Sequence, residues 1–83
     1  MKKELELNLR GTFKDATESL RSAPNRDAAI KWRGVCLGFL NALTCMEEEL
    51  AADKAKEYRA LRESITPHLA AASKEASKKF GHL

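Results

Sequence analysis

The chain has 83 residues, 43% of them hydrophobic and 33% charged, with a net charge of +3. That balance excludes a disordered tail and leaves room for one domain with one core, burying roughly 60% of the surface the unfolded chain exposes. The fifteen basic residues are scattered along the whole length rather than gathered on one stripe, so the charge is weak grounds for a polyanionic partner.

The first twenty residues admit two readings. With a period of about 3.6, Leu5, Leu9, Phe13, Ala16 and Leu20 share one face of an amphipathic helix over about residues 3–22. With a period of two, Leu5, Leu7 and Leu9 face one way and Glu6, Asn8 and Arg10 the other. Gly11 then ends a short strand, and Thr12 with Asp15 resembles a capping box that starts a helix at Phe13. The helical reading is preferred, because a lone strand in a helical chain needs a partner strand from another subunit. Lys2 and Lys3 are followed by no continuous apolar run, so no secretory signal is expected.

The strand reading has a family counterpart. Glu6-Leu7-Asn8-Leu9-Arg10 followed by two helices resembles the start of Arc-type ribbon-helix-helix repressors. The resemblance implies paired strands from two chains, with Glu6, Asn8 and Arg10 facing the major groove of DNA. The chain departs from that pattern in three ways. Glu4 and Glu6 on a ribbon would oppose phosphates, the helix from Phe13 to Ser22 is short, and Ala-Pro-Asn replaces the Gly-containing turn between the helices.

A second helix is expected from Arg26, capped by Asn25 after Pro24, with Asp27 placing negative charge in its first turn. Ala29, Trp32, Cys36, Phe39, Leu43, Met46 and Leu50 then step 3, 4, 3, 4, 3, 4 along a heptad seam. Ala28, Val35 and Ala42 widen it on one side, and Ile30, Leu37 and Leu40 on the other. An apolar arc this wide must be covered on more than one side. The one narrow seam that breaks it carries Lys31, Gly34, Gly38, Asn41 and Cys45.

The apolar run 35–46 is about a dozen residues, short of the roughly 20 that span a bilayer, and it contains Asn41. A cytoplasmic protein is therefore expected. Cys36 and Cys45, nine apart, lie on opposite sides of one helix, cannot bridge there, and read as small buried or half-buried apolar residues.

Each glycine inside a helix costs about 1 kcal/mol relative to alanine, so Gly34 and Gly38, one turn apart, suggest a close approach of another element, of a second chain, or of a partner, the alternative being that they have no special role. Trp32 and Arg33 flank them and are residue types enriched in binding hot spots. Trp32 reads as core. Arg33 interrupts the apolar arc and should pair with Asp15, Glu18 or an acid of a second chain, or sit at an interface edge.

Glu47, Glu48 and Glu49 fan outward by about 100° each and read as a solvated face. A bend is expected near residues 51–53, although no Gly or Pro enforces it and the second helix could run on to Ser64. Ala55, Tyr58, Leu61 and Ile65 continue a helical stripe. Thr66-Pro67 reads as a cap and first residue of a last helix carrying Leu69, Ala72, Ala76 and Phe80, stopped by Gly81.

His68 and His82 have no catalytic partner at a recognisable spacing, no phosphate loop or metal pair is present, and no enzyme and no cofactor is expected. Lys74, Lys78 and Lys79 lie near a helix carboxyl end, where they favour the helix dipole.

The expectation is an all-α protein, one domain over residues 1–83: a small three-helix bundle with a long central amphipathic helix. Its helices fall at about 3–22, 26–52 and 53–80, the last broken at Thr66-Pro67. A homodimer joined through the central helix is expected, since a core this small gains stability from association. The function expected is binding, as a non-enzymatic adaptor or inhibitor of a larger, unidentified protein, of a type that resembles accessory proteins of phages and mobile elements. The candidate interface is Trp32, Arg33, Gly34, Gly38, Phe39 and Asn41. The Arc-like repressor, with nucleic acid as partner, is the alternative.

Overall fold

The computed structural model describes all 83 residues as three helices, α1 (Lys3–Arg21), α2 (Arg26–Glu49) and α3 (Ala52–Phe80), with no strand. Each helix packs against both others. The third, 29 residues at about 1.5 Å each, accounts for the 41 Å long axis of the molecule. Ion pairs and hydrogen bonds fix the directions. Arg10 meets Ser64 and Arg21 meets Glu75, so α1 and α3 run parallel, and Glu47 meets Arg62 while Arg26 meets the His82 carbonyl, so α2 runs against α3.

The amino-terminal segment is helical from Lys3, and this corrects the strand alternative. The helical period puts Phe13, Ala16 and Leu20 into the core with Leu9 at its margin, whereas a strand over residues 5–9 would have had no edge within the chain to pair with. Gly11 lies inside α1 and ends nothing. Thr17 is the one buried polar residue, and its hydroxyl donates to the Lys14 carbonyl at 2.8 Å.

Asn25 caps α2 as expected, its Oδ1 accepting from the Ala28 amide at 2.8 Å. Of the heptad seam, Ala29, Cys36 and Leu43 are buried, Trp32, Phe39 and Leu50 are half-buried, and Met46 is exposed. The chain turns at residues 50–51, where both backbones are extended, and α2 does not run on to Ser64.

The break expected at Thr66-Pro67 is absent: α3 continues through Pro67. The buried stripe Ala55, Tyr58, Leu61, Ile65, Leu69, Ala72 and Ala76 keeps its phase across that point, and packing along it outweighs the lost amide donor. Pro67 faces solvent, so the carbonyl left without a donor can be hydrated. Thr66 acts inside the helix instead of as a cap, its hydroxyl donating to the Arg62 carbonyl at 2.6 Å. Gly81, at φ 81°, stops α3 as expected.

No helix is long and apolar enough to cross a membrane.

Candidate interaction surface

Helix α2 buries one side and leaves the other uncovered, and the uncovered side is unusually poor in charge. Ile30, Val35, Leu37 and Met46 are 40–44% exposed. Gly34, Gly38, Asn41, Ala42 and Cys45 are exposed among them. Charged groups on this side stand only toward its ends, Asp27 and Lys31 at one and Glu48 and Glu49 at the other. An outward helix face in a lone small bundle is ordinarily polar. Here the apolar arc read from the sequence is covered on its inner side by α1 and α3 and on its outer side by nothing.

The glycines lie at the centre of this face. A Cβ built at Gly34 or Gly38 meets no atom within 4 Å, which corrects the expectation that either admits a neighbouring element of the same fold. The close approach they permit is open to solvent.

The six candidate interface residues divide between two environments. Gly34, Gly38 and Asn41 are outward. Trp32, Arg33 and Phe39 are half-buried at the inner margin, with the Phe39 ring 5.4 Å from that of Phe13 at 47° and Lys31 Nζ 5.4 Å from the centre of the Trp32 ring. Arg33 forms no ion pair with Asp15, Glu18 or any other acid of the chain. Cys36 is buried, and desolvation pushes its thiol above the usual range. Cys45 is exposed, against expectation.

The alternative set does not assemble. Glu6, Asn8 and Arg10 lie on α1. Arg10 is held by Ser64 at 2.9 Å and Glu6 at 3.4 Å, and Asn8 is exposed. No ribbon exists for them to decorate.

Much of the remaining charge is spent on holding helices together. Glu47 is not part of a solvated face: its side chain is only 8% exposed and accepts from Arg62 at 2.6 and 3.2 Å and from Arg59 at 3.3 Å. The Arg62 hydrogen bonds, helped by both guanidinium charges, hold the Glu47 carboxyl below the usual range, and the same hydrogen bonds with the Glu47 carboxylate charge raise the Arg62 pKa. Arg21 is shared by Glu75 at 2.8 Å and Glu18 at 3.3 Å, and its carbonyl receives Lys79 Nζ at 2.8 Å. The amino terminus pairs with Glu57. A shallow cleft between α1 and α3 is lined by Arg10, Lys14, Thr17, Arg21, Ile65 and His68, but both of its arginines are already engaged by these partners. No three His, Cys, Asp or Glu side chains converge as a metal site would require.

The sequence matches no family model, no curated protein and no solved structure.

Proposed function

We propose that the protein is a small interaction module, an adaptor or inhibitor that works by laying the outer face of α2 against another polypeptide rather than by catalysis. The observation that carries this reading is the uncovered apolar side of α2, with Ile30, Val35, Leu37 and Met46 around a floor of Gly34, Gly38, Asn41 and Ala42. Contiguous exposed apolar surface of this kind marks interaction sites. A glycine floor between bulkier ridges lets a helical partner approach closely, and its two glycines weaken α2 without any return inside the bundle.

The test compares wild type with Val35→Glu/Leu37→Glu in affinity capture from the cells that make the protein, with Leu7→Glu on exposed α1 as control. The reading expects partners retained by wild type and by the control and lost by the α2 variant, while circular dichroism shows all three equally helical. Capture indifferent to the α2 substitutions would refute it.

A further inference from the structure

We infer that the outer face of α2 is occupied, in the free protein, by α2 of a second copy running antiparallel, in a register set by Lys31 and Glu49. This rests on the reading of that face as the docking surface and names one occupant for it.

The argument begins with spacing. Lys31, Val35, Gly38, Ala42, Cys45 and Glu49 step 4, 3, 4, 3, 4, and all six are exposed. At 100° per residue this second heptad seam lies roughly 140° around α2 from the buried Ala29, Cys36 and Leu43, so a helix can pack on it while α1 and α3 keep the inner side. Its middle is small, so two backbones can approach at or below the usual 8–10 Å between helix axes.

Charge then chooses the direction. The seam has a lysine at one end and a glutamate at the other, and neither forms an ion pair within the chain. A parallel pairing would put Lys31 beside Lys31 and Glu49 beside Glu49 of the second copy. An antiparallel pairing about a two-fold axis level with Leu40 gives two Lys31 to Glu49 pairs instead.

The same axis sets Val35 against Cys45 and Gly38 against Ala42, because the seam positions are symmetric about it. Residues on one flank of an antiparallel two-fold pair meet the same flank of the partner. Lys31 and Glu49, 18 positions apart, therefore lie on the same side of the contact.

The seam is about 27 Å long and about 10 Å wide. That footprint falls well short of the roughly 800 Å² per partner of a standard interface, so the pair dissociates on dilution through the micromolar range. Such an association can yield to a larger partner that takes the same face.

Sedimentation equilibrium of the full chain from about 5 μM to 1 mM tests this. Wild type is expected to dimerise reversibly. Lys31→Glu or Glu49→Lys alone replaces two attractive pairs by two repulsive ones and should weaken the dimer about tenfold, and the double variant should return to within about threefold of wild type. Both changes are on exposed positions, and circular dichroism checks that all three variants fold.

Oxidation distinguishes the directions. In the antiparallel register the two Cys45 residues are about 15 Å apart along the axis and do not couple, whereas a parallel pair brings them together. A monomer at every concentration, a dimer that the double variant does not restore, or ready coupling of Cys45 to Cys45 would each overturn the inference. A monomer whose partner capture is still abolished by Val35→Glu/Leu37→Glu would overturn the self-pairing and leave the docking face standing.

Discussion

Replacing Gly34 and Gly38 together by alanine should stabilise the fold. Both lie in the interior of α2, eight and twelve residues past its first residue, and an added Cβ meets nothing within 4 Å at either. The full helix-propensity gain of about 1 kcal/mol per site is therefore available, with no steric cost set against it. The pair is worth about 2 kcal/mol. For a chain of this length the unfolding entropy is about 0.17 kcal/mol/K, so the midpoint should rise by about 10 °C.

Far-UV circular dichroism melts at matched submicromolar concentrations, below the range in which the pair forms, measure this directly. Gly11→Ala, also in open space but on α1, should give about half the shift. A midpoint that stays level or falls for the double variant would refute the reasoning, because it would mean that the bundle itself uses the space above these glycines.

Two further outcomes follow from the packing. Pro67→Ala restores an amide donor in the middle of α3 at an exposed position; the regained hydrogen bond and relieved clash outweigh the loss of proline's restraint on the unfolded chain, and urea titration should show about 1–2 kcal/mol of added stability. Because Arg62 and Arg59 hold the Glu47 carboxyl below its unfolded range, the stability it contributes is complete above the unfolded carboxylate pKa of about 4.3 and is lost as pH falls through the lower folded value. Glu47→Gln should therefore melt below wild type by a constant margin from pH 6 to 8, and the margin should close below pH 4; a gap that persists in acid would show that the fork acts by shape and not by charge.

The apolar periodicities specify the helices well. Ala55 through Ala76 on α3, Phe13 to Leu20 on α1 and the Asn25 cap are visible as pattern, because each depends on residues a few positions apart. The fork at Glu47 is different in kind. Three consecutive glutamates are identical in local pattern, and only the turn at residues 50–51, which returns Arg59 and Arg62 alongside, singles out the first of them. Pro67 misleads for a related reason. Its local chemistry argues for a helix start, and the uninterrupted stripe on the opposite side of α3 overrules it.

The candidate surface was half legible. The arc on α2 was too wide for one neighbour, but which side α1 and α3 would cover depends on how the helices dock. Trp32 and Phe39 accordingly fall at the inner margin, while Gly34, Gly38 and Asn41 face out.

The turn at residues 50–51 also sets how much chain entropy each tie between helices costs. Ties between α2 and α3 at Glu47 close loops of only 12 and 15 residues, whereas the ties of α1 to α3 at Arg21 close loops of 54 and 58. Closing the longer loops costs about 1.3 kcal/mol more in chain entropy. The ties of α1 to α3 are thus the entropically expensive ones, made last in any order of assembly, whereas each of the two short connections, at residues 22–25 and 50–51, brings its pair of helices together locally.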